Sequence, residues 1–201
     1  MGYKVGDRVE KMSTHSFYKI IEMNSDGKGK VKLQRLVNGS KSDNIIEVDD
    51  LNSFKLVKPI EDTISYFDDN FDFLSNLFMT PVEYDGVIYP SAEHAFQASK
   101  VSSEDEREKI RNLSSSMKAK VIGKTLKPEK EWEDDKYNKM YCICLNKFKN
   151  NDELKNQLIS TKSLNLVNGG EDSYWGVNKD SGENNLGKIL MQIRKELLTE
   201  I

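Results

Sequence analysis

Tyr89-Pro90-Ser91-Ala92-Glu93-His94-Ala95-Phe96-Gln97-Ala98-Ser99-Lys100 is the stretch on which the reading of the chain turns. Ser91 is a good helix cap, because its hydroxyl can accept from the first free amides. Behind it Glu93, Phe96, Gln97 and Lys100 recur at i, i+3, i+4 and i+7, the spacing of a single helical stripe. An acid, an aromatic ring, an amide and an amine thus share one surface, with Ala95 and Ala98 small enough for close packing beside it. A solvated helix carries the same charges. The ring on the stripe argues for a pocket about as strongly as Glu93 and Lys100 argue for water.

Helical periodicity continues outward from this stretch. Residues 91–101, 104–113, 116–126, 134–150, 152–161 and 184–198 all carry apolar residues at helical spacing. Pro81–Tyr89 and Leu164–Val167 are strand-like pieces between them. Residues 64–201 are therefore expected to form a mainly helical domain. Pro59 to Thr63 reads as a linker, and residues 1–58 follow a different pattern. There KVGDRVEKM, SFYKIIEM, KGKVKLQRLV, NIIEV and SFKLV are short runs rich in Val, Ile and Phe. Asp26-Gly27 and Asn38-Gly39 mark hairpin turns, because Gly accepts positive φ without strain. Five short strands in so few residues predict a small SH3-like β-barrel, and Val5–Val9 resembles the first strand of such barrels. The expected class is α+β in two domains, with the barrel as a possible nucleic-acid-binding module.

The 201 residues are 37% hydrophobic and 31% charged, a globular composition. No apolar run is long enough to cross a bilayer, and MGYKVGDRVE lacks the apolar core of a secretory signal. Cys142 and Cys144 offer no disulfide framework, so a reducing, cytoplasmic location is expected. Residues 1–58 carry 11 Lys and Arg against 8 Asp and Glu, a net +3, while the remainder carries 19 against 25, a net −6, which gives the chain its −3. A mildly basic first unit suits nucleic acid, although an ordinary solvated surface is the more common meaning of so small an excess.

Other segments add candidate site residues. In Phe71–Phe78, Asp72, Ser75 and Asn76 either close a turn or grip a polar ligand, with the turn favoured on spacing. Trp132, inside Glu131-Trp132-Glu133, is a core residue or a stacking platform. Asp172, Trp175 and Gly176 form a loop able to floor a flat ligand, where Gly lets backbone amides approach closely. Asn185 precedes a helix as an expected cap, and that helix start could receive a phosphate. Metal-ligand clusters, a P-loop and a dinucleotide fingerprint are absent from the sequence, so neither metal nor cofactor is expected. With only His15 and His94, a Ser-His-Asp triad is disfavoured, and His94 reads as a supporting or core residue.

Taken in order, Phe73–Asn76, Val82–Gly86, Tyr89–Ser91, Glu93–Lys100, Trp132-Glu133, Trp175-Gly176 and Asn185–Gly187 resemble the motif series of the NADAR, or YbiA-like, family over about residues 64–200. That resemblance implies an N-glycosidase. Two substrate groups go with it: ADP-ribose on guanine bases of DNA, as a DarT-type toxin leaves it, and phosphorylated riboflavin-pathway intermediates. It implies that Glu93, Trp132 and Asp172 are needed for activity. Lys100 would form a Schiff base with the sugar, and Asn76 and Trp175 would line the pocket. With the neighbouring Ser75, Phe96, Gln97, Gly176 and Asn185, these make the expected substrate site. Leu166-Val167-Asn168-Gly169-Gly170 lacks an acidic residue common in the family, and Trp175-Gly176-Val177-Asn178 replaces Trp-Gly-Ile-Gly; both bear on substrate choice. The expected partner is ADP-ribosylated DNA, presented single-stranded or with the guanine flipped out, or an ADP-ribose-like small molecule. A phage protein countering DarT-type defence in the host cytoplasm would suit the composition. The alternative from another class is a sensor that binds such nucleotides without cutting them.

Overall fold

A computed structural model describes residues 3–13, 16–23, 30–37, 40–49, 51–57, 62–67, 69–170, 172–178 and 181–199. Within residues 3–57, β1 (Arg8–Lys11), β2 (Ser16–Glu22), β3 (Val31–Val37), β4 (Ser40–Val48) and β5 (Phe54–Val57) form one antiparallel sheet in the order β4-β3-β2-β1-β5. Alternation sets its buried face. Val9, Tyr18, Ile20, Val31, Leu33 and Phe54 point to one side and close over Leu51. Register shifts between Ile20 and Glu22 and between Gln34 and Leu36 bend the sheet. The five expected strands are therefore present. Closure into a barrel is not, because no ladder joins β4 to β5 among the described residues. The expected turns at Asp26-Gly27 and Asn38-Gly39 lie outside the described residues.

Downstream, β6 (Thr63–Ile64) pairs in parallel with β9 (Asn165–Leu166). A 3₁₀ turn over Asp69–Leu74 leads to a hairpin of β7 (Met79–Tyr84) and β8 (Val87–Ser91). The piece expected as a single strand at Pro81–Tyr89 is thus folded back on itself. Its two-residue turn is Asp85-Gly86, both at positive φ (54° and 73°), a conformation Gly adopts freely and Asp tolerates. Among the described residues six helices follow: α1 (Ala92–Ala98), α2 (Glu104–Arg111), α3 (Ser116–Gly123), α4 (Trp132–Lys149), α5 (Asp152–Ser160) and α6 (Asn185–Thr199). Ser91, Ser103, Ser115 and Asn151 cap α1, α2, α3 and α5, each accepting from the amide three residues on.

The core is built around α1, every residue of which is buried. α4 packs on α1, β7, α5 and α6, and its Ile143 and Phe148 are fully enclosed with Leu74, Leu158, Ile189 and Ile193. Buried Arg194 of α6 donates to Thr161 Oγ1 and Leu164 O, which ties the last helix to the turn after α5. None of the described helices is long and apolar enough to cross a membrane. Truncating Ile143 to Ala should cost about 2–5 kcal/mol of unfolding free energy, because it opens a cavity in this core. Ile88→Ala, at a side chain 66% exposed on the hairpin, should change it by less than about 0.5 kcal/mol. Chemical denaturation of the two variants measures the contrast.

Candidate active site

A cleft of about 290 Å³ opens where the Ser75–Leu77 turn, α1, the end of α3, the start of α4 and residues 168–170 and 172–175 meet. α1 supplies Glu93, Phe96 and Gln97, and the chain just beyond it supplies Lys100. The expected stripe is real, but the helix stops at Ala98. Lys100 therefore sits in the turn after the Ser99 C-cap and reaches back along its own stem. Its Nζ donates to Gly123 O at 2.8 Å and lies 5.2 Å from the centre of the Trp132 ring. Burial lowers the pKa of this amine; the Glu93 and Glu133 carboxylates act against the shift, and Lys124 adds to it.

Glu93 is buried at 6% exposure, and its Oε1 accepts from Gln97 Nε2 at 2.7 Å. Its backbone amide donates to Asn76 O, which docks the start of α1 on the 75–77 turn. His94 points away from the cleft. Its Nδ1 pairs with Ser91 Oγ at 2.7 Å and its Nε2 with Leu113 O at 3.1 Å, so it braces the helix start. Burial lowers its pKa, while the Leu113 carbonyl and the Glu93 carboxylate act against the shift.

Phe96 stands between two indoles, 5.3 Å from the Trp132 ring and 5.3 Å edge-on from Trp175. Tyr174 meets Trp175 edge-on at 4.8 Å, and Lys136 Nζ sits 4.1 Å over the Tyr174 ring. Trp132 is held in turn by Nε1 donating to Ser99 Oγ. The result is a continuous wall of four rings, set at angles that favour edge-to-face contact.

Asn76 is buried, with Nδ2 donating to Met140 Sδ at 3.1 Å and Oδ1 accepting from Cys144 Sγ at 3.6 Å. Burial pushes the Cys144 thiol up to about 12, so it remains a donor. Sulfur is a weak partner, and the Asn76 amide therefore faces the cleft loosely held. Asp172 lines the mouth and is exposed. Its Oδ1 accepts from the amides of Tyr174 and Trp175, both at 3.0 Å, so the carboxylate also folds the loop carrying Trp175.

Two expected residues lie outside the lining. Gly176 is buried behind the loop, where a Cβ would come within 2.2 Å of Asn168 O, so its role here is close packing. Asn185 was expected as a cap before the last helix, but α6 begins at Asn185 itself, and its side chain donates to Glu183. The first amides of α6 are taken as well, Asn185 N by Tyr174 O and Leu186 N by Trp175 O. That helix start is closed to a phosphate by the loop it supports.

Sequence reasoning missed the lysines of the rim. Lys120 and Lys124, one helical turn apart on and just after α3, line the cleft with Lys100 and Lys136. It also missed Lys147, which is 1% exposed and donates to Phe73 O at 2.6 Å and Ser75 O at 2.7 Å. Lys147 thereby props the turn that carries Ser75 and Asn76. Only its place among the apolar residues of α4 hinted at this.

Fold and cleft together define a class: a mixed α/β enzyme whose carboxylate and amine share a sheltered, ring-walled cleft. Comparison with known proteins shows the family. The NADAR domain pattern matches residues 61–198. The N-glycosidase YbiA of Shigella boydii is 40% identical over 149 residues, covering 70% of this chain and 92% of that one. A riboflavin biosynthesis protein of Vibrio vulnificus is 31% identical over 134 residues, 65% of this chain and 36% of that one. The NMR structure of Escherichia coli YbiA superposes with a TM-score of 0.63 at 36% identity, covering 71% of this chain and 89% of that one. The chain belongs to the NADAR family, and it is a hydrolase of the N-glycosidase class.

Burial pushes the Lys147 amine down from 10.5 to about 8. The folded protein therefore binds this proton more weakly than the unfolded chain. Unfolding takes up a proton between the two values, and the stability owed to Lys147 rises with pH across that window and levels off above it. Denaturation of wild type and Lys147→Met in parallel should show the difference growing in favour of wild type from about pH 8 to 10.5. A difference that stays flat would mean the amine is not perturbed.

Proposed function

We propose that this cleft hydrolyses the bond between a ribose-type sugar and a nitrogen base through an imine at Lys100, and that the substrate is ADP-ribose on a guanine of DNA. The observation that carries the reading is the placement of Glu93 and Lys100 in one cleft beside the ring wall, with a rim of lysines. In the reaction, Lys100 as a free amine attacks the anomeric carbon, the carbon–nitrogen bond breaks, and its electron pair leaves with the base. The departing base takes a proton from an acid at the mouth, a position Asp172 occupies. The Lys100 nitrogen gives up a proton to Glu93 as the new bond forms. The sugar ring then opens as the nitrogen lone pair forms the C=N bond, its oxygen taking back the proton held by Glu93, to leave the protonated imine. Water adds to that carbon and releases the sugar, and the amine is restored.

Trp132, Phe96 and Trp175 offer stacking faces for the base, and Ser75 and Asn76 offer polar contacts to the sugar. A cleft near 290 Å³ is at the small end for ligand sites, which suits a ribose and one adjoining ring. The phosphates then lie over Lys120, Lys124 and Lys136 at the rim. A guanine in DNA must be flipped out or single-stranded to enter. We read the N-terminal sheet as an SH3-like module that helps hold the strand. Its last strand returns beside its first, as a small barrel requires, and its residues carry the basic excess. A cytoplasmic site of action, in a host cell countering a DarT-type toxin, fits this substrate. A second substrate reading, a phosphorylated riboflavin-pathway intermediate, is favoured by the name of the Vibrio relative.

Incubation with ADP-ribosylated guanine oligonucleotide and with the riboflavin intermediates, read by mass spectrometry, separates the two. Wild type should release free base from one of them, and intact material in both arms would reject the proposal. Borohydride should trap the sugar on the peptide containing Lys100. Lys100→Ala should abolish trapping, and Glu93→Gln should lower kcat by on the order of 10²–10⁴. Because the reactive form of Lys100 is the neutral amine, the rate should rise with pH through its pKa. Lys124 helps hold that pKa down. Lys124→Gln should therefore move the rising limb of the kcat–pH profile to higher pH, and a limb that stays in place or moves down would exclude Lys100 as the titrating group.

A further inference from the structure

The Gln97 amide donates from Nε2 to Glu93 Oε1, yet its own Oε1 is buried without a hydrogen-bond partner. A buried acceptor without a donor is a standing cost, and something must hold it there. Turning the amide over would set oxygen against oxygen at Glu93, so the bond to the carboxylate fixes the orientation. The space for the orphaned end comes from Gly123. A Cβ at that position would stand 2.1 Å from Gln97 Oε1 and 2.5 Å from its Cδ and Cγ, far inside contact distance. Gly123 instead presents Cα–H, a weak donor. The same residue gives its carbonyl to Lys100 Nζ at 2.8 Å.

We infer that Gly123 is a positioning residue of the active site: its bare Cα admits the Gln97 amide that orients Glu93, while its carbonyl holds Lys100. Acid and amine are thus both registered on one backbone position at the end of α3. This rests on the reading of the cleft given above, and it adds a backbone position that places Glu93 through Gln97 and holds the Lys100 amine through its carbonyl.

A methyl group at 123 overlaps the far end of a flexible side chain. The side chain therefore yields before the backbone does. α3 is anchored at its other end by Ser116 Oγ donating to Leu77 O and by the Ser115 cap, which keeps the Gly123 carbonyl in place. The consequence of Gly123→Ala is loss of the Gln97–Glu93 bond with the Lys100 contact intact.

The test uses the full chain as wild type, Gly123→Ala, Gln97→Ala and the double variant. Steady-state cleavage is measured with whichever substrate wild type turns over. The side-chain amide NMR signals of Gln97 and reductive methylation of Lys100, mapped by peptide mass spectrometry, need no substrate. Gly123→Ala should lower kcat by on the order of tenfold to a hundredfold with KM little changed. Its Gln97 amide protons should exchange faster with water, and its Lys100 labelling should match wild type. The double variant should be no slower than Gln97→Ala, because no amide remains to be displaced. If Gly123→Ala does not fold, a double variant that folds and matches Gln97→Ala supports the same steric coupling. Wild-type kcat and Gln97 exchange in Gly123→Ala, losses that multiply in the double variant, or altered Lys100 labelling would each overturn the inference. A wild type that cleaves none of the substrates defeats the cleft reading instead, and the exchange measurement still decides whether Gly123 places Gln97.

Discussion

Every face of α1 is buried, although the helix carries Glu93, His94 and Gln97. A polar group removed from water needs a partner inside the molecule, and that requirement organises the catalytic half of the chain. His94 is satisfied by Ser91 and the Leu113 carbonyl, which pins the helix start and the segment after α2. Glu93 is satisfied by Gln97 through its side chain and by Asn76 O through its backbone amide, which pins the 75–77 turn. Lys147 then holds that turn from below. The cleft is therefore shaped by the same bonds that make burial of α1 tolerable, and its carboxylate is held by Gln97 on a helix start docked to the 75–77 turn.

The opposite wall is organised by a different means. Residues 172–178 and 181–184 lie outside the helices and named strands, and they are held by backbone groups that cap one another's elements. Asp172 accepts two amides of the loop, while Tyr174 and Trp175 give their carbonyls to the first amides of α6. Gly176 fits because Asn168 O leaves no room for a side chain. These contacts set Trp175 edge-on to Phe96, which joins the loop to α1 through a pair of rings. One helix thus meets the loop by aromatic packing and the α4 start by the Phe96–Trp132 contact. The ring wall is continuous because Phe96 is common to both.

Much of this was legible in the chain. The Ser91 cap and the Glu93–Gln97 spacing fixed the buried helix, and six helices fall where apolar periodicity placed them. The limits are physical. Periodicity does not say where a helix stops, so Lys100 was read as helical when a long flexible stem carries its nitrogen from the turn beyond. Lys120 and Lys124 look like any solvated face, since lysine at helical spacing usually is one. Lys147 offends the expectation that lysine avoids the core, and only the two carbonyls facing it explain the exception. Adjacent Asn184 and Asn185 give no sequence signal as to which starts α6. The tertiary loop decides that, through Asn184 bonding Asn168 N and Leu166 O. At the N-terminus, alternation gave the five strands, but closure depends on how edges meet, which alternation does not encode.

The two amines show why the surroundings of a lysine matter more than its exposure. Both lose affinity for a proton by burial. Lys147 is enclosed and donates to two carbonyls, so it is committed to structure and has no path to a ligand. Lys100 is half-buried, holds one carbonyl at a helix end, and faces a cleft that also contains Glu93. A single bond to Gly123 can be exchanged for a bond to a sugar carbon, whereas the pair of bonds at Lys147 cannot be broken without dropping the 73–76 turn. The imine proposed for this cleft calls for an amine whose proton affinity is lowered and whose one bond can be given up, and of the two lysines that describes Lys100.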